Sequence, residues 1–197
     1  MDDILDRAIR FATDAHAGQL RKMADTPYIL HPMEVASIIA TMTKDVEVMA
    51  AGMLHDTIED CHVPADVIRE QFGPRVYALV MSETEDKLPG LSPSGSWLTR
   101  KQDSLLVLEN TPFPEVKILW LADKLSNIRS FVREHERRGD AMYELLNQKD
   151  PAMHAWYYRS VAKAMPELSD TDAYREYTSL VEITEVPQLR FPHGRPR

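Results

Sequence analysis

Apolar residues recur at helical spacing along nearly the whole chain. Ile4, Ala8, Phe11, Ala12 and Ala15 fall on one face of a helix that Asp2 or Asp3 caps and Gly18 stops. Residues 19–30 lose the periodicity and read as a loop carrying the basic pair Arg21-Lys22. His31 stands before Pro32, whose fixed φ suits a first helical turn, and a second helix runs to about Met42. Asp45 caps the next helix, in which Ala50 to Ile58 is an apolar run interrupted only by Gly52. Pro64 and Gly73-Pro74 open two more, ending near Glu85, and Pro89 to Ser96 reads as a flexible loop. Helical patterning resumes at Trp97 and again after Pro112 and Pro114. Pro151 and Pro166 frame a further helix, and a last one covers about 170–185. No strand alternation longer than about four residues interrupts this series. The pattern predicts an all-α bundle of about eight to ten helices.

Polar residues break the apolar pattern at two places. The stretch His55-Asp56-Thr57-Ile58-Glu59-Asp60 ends an otherwise apolar helix with four ionisable groups. Continued as a helix, it would set His55 beneath Glu59 and Asp56 beneath Asp60, with His55 and Asp56 diverging by about 100°. Such a cluster is either a solvated helix end with a capping salt bridge or a set of groups compensated by a divalent cation. Pro114 to Phe131 is the second place. Ile118, Leu121, Ala122, Leu125 and Ile128 form one stripe, and Leu119 and Trp120 extend it around much of the helix, yet Asp123 and Asn127 share a face of it. Asp123 is either paired with Lys124 or Arg129, neither ideally placed on its face, or bound to a metal. His31 is a hydrogen-bonded structural residue or a third ligand source. Together His31, His55, Asp56 and Asp123 offer two imidazoles and two carboxylates from three helices. That donor set suits a borderline or hard divalent ion such as Mn²⁺.

Composition narrows the class. The chain has 197 residues, 44% hydrophobic and 27% charged, enough for one domain with a sizeable core. Its net charge of −8 argues against a broad nucleic-acid-binding surface but admits a small anionic ligand held by a metal and a local basic cluster. No apolar run approaches the roughly 18–20 residues that cross a bilayer. Met1-Asp2-Asp3-Ile4 is acidic where a signal peptide would be basic, so a cytoplasmic location is the expectation. Cys61 is the only cysteine, which excludes an intrachain disulfide and a cysteine-based zinc cluster.

The order His31, His55-Asp56, Asp123 resembles the signature of the HD-domain phosphohydrolases. The flanking segments Gly18-Gln19-Leu20-Arg21-Lys22, Thr26 to Pro32, His55 to Asp60 and Leu121 to Asn127 are similar to the hydrolase domain of the RelA/SpoT family over about residues 3–165. The resemblance implies a single HD-type domain over 1–186, with residues 187–197 a frayed tail. With no room for synthetase and regulatory domains, it also implies a stand-alone small alarmone hydrolase. Such an enzyme uses manganese to remove the 3′-pyrophosphate of guanosine tetra- or pentaphosphate. By the same resemblance His31, His55, Asp56 and Asp123 hold the metal, and Glu59 and Asp60 position and deprotonate the attacking water. Arg21 and Lys22 flank the nucleotide, with Tyr28 and Asn127 lining its pocket. The partner is a small anionic nucleotide, and homo-oligomerisation stays open. Ser126 and Met23 depart from residues frequent in relatives. Arg100 and Lys101 read as phosphate contacts or as a helix-face salt bridge, and Trp156, Tyr157 and Tyr158 as core, with one tyrosine reaching the pocket. Two rivals remain: a phosphohydrolase of NADPH or another nucleotide on the same scaffold, and a non-catalytic nucleotide-binding module.

Overall fold

A computed structural model describes residues 3–85 and 90–185. Within them the chain forms α1 (Ile4–Ala15), α2 (Leu30–Met42), α3 (Val46–Leu54), α4 (Thr57–Cys61), α5 (Ala65–Glu83), α6 (Trp97–Asn110), α7 (Pro114–Arg138), α8 (Pro151–Lys163) and α9 (Asp172–Glu185). Short 3₁₀ turns lie at Gly139–Leu145 and Pro166–Leu168. There is no strand among the described residues, only an isolated bridge between Leu20 and Pro27. The all-α expectation holds. The loop expected at Pro89 to Ser96 is described only from Gly90, and the tail expected at 187–197 lies outside the described residues. No helix among those described is long and apolar enough to cross a membrane.

Helix starts follow the capping residues. The Asp45 carboxylate accepts from Glu47 N–H at 3.0 Å and the Asp150 carboxylate from Ala152 N–H at 2.9 Å, each satisfying a donor that the first turn leaves unpaired. Pro114 and Pro151 occupy first turns, where their missing N–H costs nothing. Gly73 breaks α5 with φ 88°, ψ 167°, as the Gly-Pro pair suggested; there the left-handed region favours a residue without Cβ.

One expectation fails. The helix ending at His55 does not run through to Glu59. It stops at Leu54, and α4 restarts at Thr57. Asp56 sits at φ −93°, ψ −4°, outside ideal helix, and local bonds stabilise the break. His55 Nδ1 bonds back to the Gly52 carbonyl at 2.8 Å, and the Thr57 hydroxyl donates to the Leu54 carbonyl at 2.7 Å. Each takes a carbonyl that a continuing helix would have used.

The core forms where α3 packs on α1, α2 and α5, and α7 on α2 and α9. Leu119 to Ser126 of α7 are all buried, so Asp123 and Lys124 are charges inside the core. Gly52 sets the α2–α3 spacing: a Cβ there would lie 2.5 Å from Ile39 Cδ1 and 3.3 Å from Val35 Cγ1. This close approach brings His55, at the end of α3, to the start of α2 where His31 sits.

Candidate metal centre

His31, His55 and Asp123 each place one donor atom within 4.8 Å of the others, and all three are buried. His31 Nε2 lies 3.0 Å from Asp123 Oδ1 and 3.5 Å from Asp56 Oδ2. His55 Nε2 lies 2.9 Å from Asp56 Oδ2 and 3.5 Å from Asp123 Oδ1. Donors that surround one divalent ion at about 2.1 Å stand roughly 3–3.4 Å apart, which these edges match. The break after Leu54 swings Asp56 beside the imidazole that precedes it, and α7 brings Asp123 from the opposite side.

The imidazoles are prepared as ligands. His55 Nδ1 is taken by the Gly52 carbonyl and His31 Nδ1 lies 2.8 Å from the Ser126 hydroxyl, so both Nε2 atoms face the carboxylates. His55 Nε2 is buried and, despite the nearness of Asp56, has no hydrogen-bond partner in suitable geometry. Such an orphan is costly unless a ligand completes it. Burial pushes His31 below its ordinary pKa, against the pull of Asp123. Burial acts the same way on His55, but Asp56 and Asp123 outweigh it and hold that imidazole well above its ordinary value. Against burial, His55 and His31 hold Asp56 below the carboxylate range, and Lys124 with the two histidines holds Asp123 well below it. The carboxylates thus demand positive charge at this point. A proton on His55 supplies one unit and a divalent cation two, so the four residues fit such an ion.

Of the two pairings left open for Asp123, Lys124 is the one the fold makes. It pairs with Asp123 Oδ2 at 2.5 Å although the two are adjacent in sequence. Its long flexible stem folds over the Trp120 ring, 4.4 Å from the ring centre, and carries the ammonium back to its neighbour. Glu83 Oε2 lies 3.4 Å on its other side. Arg129, the other pairing considered for Asp123, instead meets Glu34 and Glu176.

A cavity of about 280 Å³ opens over this cluster. Asp56, Glu59 and Asp123 line its acidic side, and Lys22, Arg100, Lys101 and Lys124 supply cations. Trp97, His154 and residues 145–148 close the far end. Glu85, beyond the end of α5, accepts from Arg100 at 2.6 Å and from Lys101 at 2.5 Å, so the pair is salt-bridged across elements and also lines the cavity. Burial pushes the Glu83 carboxyl up to about 8, Lys124 opposing only in part, and Glu83 Oε1 has no hydrogen-bond partner.

The remaining expected residues divide. Lys22, Tyr28, Glu59 and Asn127 line the cavity, whereas Arg21 and Asp60 stand beside it. Arg21 lies over the Tyr28 ring, 5.4 Å from its centre, and donates to Asn127 Oδ1 at 2.9 Å. Asn127 Nδ2 in turn donates to Asp123 Oδ1 at 2.7 Å. Tyr28, whose hydroxyl pKa burial and the nearby carboxylates raise far above the usual range, reaches Asp56 at 2.7 Å and Asp60 at 3.0 Å. Tyr157 and Tyr158 are buried in an aromatic cluster, as expected of core. Sequence reasoning missed Glu83, Glu85, Trp97, His154 and the 145–148 segment.

Comparison with known proteins agrees with this geometry. An HD-domain family profile matches residues 8–148. A guanosine-3′,5′-bis(diphosphate) 3′-pyrophosphohydrolase of Aquifex aeolicus is 34% identical over 151 residues, covering 76% of this chain and 21% of that protein. A probable GTP pyrophosphokinase of Mycobacterium leprae is 32% identical over 91% of this chain and 23% of its own length. The chain therefore spans about a quarter or less of these relatives. Among solved structures, a metazoan SpoT orthologue that hydrolyses ppGpp superposes with a TM-score of 0.74 at 22% identity, covering 95% of this chain and 98% of that one, and shares the fold. A Listeria monocytogenes protein reaches 0.67 at 30% identity, over 78% and 97%. With its histidine and aspartate pairs set on α2, at the α3–α4 break and on α7, the chain belongs to the HD-domain family.

Proposed function

We propose that the protein is a Mn²⁺-dependent hydrolase that removes the 3′-pyrophosphate of guanosine tetra- or pentaphosphate, giving GDP or GTP and pyrophosphate. One observation carries the reading: two buried imidazole Nε2 atoms and two carboxylates converge beside a cavity also lined by Glu59, Glu83 and Glu85 and by four cationic side chains. The relatives whose names state this chemistry support the substrate.

His31, His55, Asp56 and Asp123 hold the ion, which when bound acidifies water and offsets charge on phosphorus. In the reaction a water oxygen bonds to the phosphorus attached to the ribose 3′-oxygen, and that P–O bond breaks. Glu59, on the cavity wall, takes one water proton; the departing 3′-oxygen gains a proton and becomes a hydroxyl. The Tyr28 hydroxyl, with one hydrogen between Asp56 at 2.7 Å and Asp60 at 3.0 Å, orders both carboxylates. Lys22, Arg100 and Lys101 offset phosphate charge, and Arg21 braces Asn127 against Asp123. Manganese suits the set because imidazole and carboxylate donors without thiolate accept a borderline ion.

The test is product analysis after incubation with guanosine tetraphosphate and with NADPH, each with and without Mn²⁺. GDP and pyrophosphate appearing only with Mn²⁺ is the expected result. No pyrophosphate from guanosine tetraphosphate, with phosphate released from NADPH, would overturn the substrate assignment.

A further inference from the structure

The two histidines of the centre are held in different ways. His55 is fixed by a main-chain carbonyl, which no side-chain substitution removes. His31 is fixed by side chains alone. Its Nδ1 lies 2.8 Å from Ser126 Oγ, and that oxygen lies 2.7 Å from Glu34 Oε2. Ser126 and His31 are both buried, with 1% and 4% exposure, so water does not take over either contact.

Counting hydrogens settles the direction of this chain. A serine hydroxyl has one hydrogen to give. The Glu34 carboxylate, ion-paired with Arg129 at 2.9 Å, only accepts. The hydroxyl hydrogen therefore points to Glu34. Ser126 Oγ is left as an acceptor, and the imidazole hydrogen must sit on His31 Nδ1. In the neutral ring Nε2 then carries a lone pair, 3.0 Å from Asp123 Oδ1 and 3.5 Å from Asp56 Oδ2, an arrangement that a cation between them makes favourable. Beyond Glu34, Arg129 forks onto both Glu176 oxygens at 2.6 Å. That bond ties the chain to α9, which lies outside the stretch matched by the family profile.

We infer that Glu34 and Ser126 are positioning residues that lock His31 as the Nδ1–H tautomer and so present its Nε2 to the cation. The inference rests on the metal centre but not on any substrate. A hydroxyl links carboxylate and imidazole, where a direct carboxylate–imidazole bond is the commoner arrangement in metal sites.

The experiment measures Mn²⁺ dissociation constants without nucleotide for the wild type, Ser126→Ala, Glu34→Ala, their double variant and His31→Ala. Nitrogen NMR of the proteins loaded with diamagnetic Mg²⁺ reads the His31 tautomer, and circular dichroism confirms helical content. Ser126→Ala should weaken Mn²⁺ binding about 10–100-fold, the usual effect of losing an outer partner of a ligand. The double variant should lose no more than the weaker-binding single variant, because both substitutions cut one chain. His31 should carry its hydrogen on Nδ1 in the wild type and lose that preference in Ser126→Ala. A wild-type hydrogen on Nε2, or Ser126→Ala binding as tightly as the wild type while His31→Ala does not, would overturn the relay. His31→Ala binding as tightly as the wild type would overturn the metal centre and the relay with it. Glu34 is partly exposed, so Glu34→Ala keeps the test decisive if the buried substitution disturbs folding.

Discussion

Glu83 is a carboxyl that the fold keeps protonated, and replacing it with glutamine should change how stability depends on pH. Its side chain is buried at the end of α5, with one oxygen toward Lys124 and the other without a partner. Burial raises its pKa from 4.5 to about 8. An unfolded chain loses this proton above pH 4.5, whereas the folded chain keeps it until about pH 8. In that window the native state binds more protons, so stability falls as pH rises, and it stops falling above the folded value. At about 1.4 kcal/mol per pKa unit, the shift corresponds to on the order of 5 kcal/mol across the window. Glutamine resembles the neutral acid at every pH. Glu83→Gln should match the wild type near about pH 5 and exceed it by a few kcal/mol near about pH 9. Urea unfolding monitored by circular dichroism, with a chelator present, measures both. An equal stability difference at the two pH values would refute the reasoning, because the loss would then not follow ionisation of this group.

Glu59→Gln keeps the size of the side chain but removes its basicity; turnover should fall about 10²–10⁴-fold with Mn²⁺ affinity little changed, read by steady-state kinetics and metal titration. His55→Ala and Asp123→Ala each delete a donor and should leave little bound metal by elemental analysis after desalting. Gly52→Ala puts a methyl 2.5 Å from Ile39 Cδ1 and should cost about 1–3 kcal/mol by thermal or urea unfolding, the usual penalty of overpacking a core.

The sequence carried the helices well because their ends are written in local chemistry. Asp3, Asp45, Gly73-Pro74, Pro114 and Pro151 all act where periodicity placed them. His31, His55, Asp56 and Asp123 were recognisable as a donor set, and the structure brings them together. The break at His55-Asp56 was not legible, because a helix that stops for two residues keeps an apolar pattern on both sides. Its cause is a pair of side-chain bonds to carbonyls three residues back, which have no periodic signature. Whether Asp123 pairs with Lys124 stayed open in the sequence for a related reason: helical spacing ranks neighbours by Cβ direction, and a lysine stem can reverse that direction. Glu83, Glu85 and the 145–148 segment come from parts of the chain distant from the motif, and only the packing of α5 and α8 on α7, with α6 on α8, places them on the same cavity.

Glu85 gives the cavity an unusual economy of charge. Arg100 and Lys101 do not wait there as bare cations; one carboxylate already holds both. Under the proposed function, a phosphate arriving at this wall would have to exchange with Glu85 for them rather than fall onto unopposed charge. Binding there would then be a swap of anions. A weak monoanion gains little from such a swap, whereas a polyphosphate, able to hold the cations and the floor of the cavity together, has enough charge to displace the carboxylate. An acidic protein can in this way keep a site for highly charged ligands while staying indifferent to the common small anions around it.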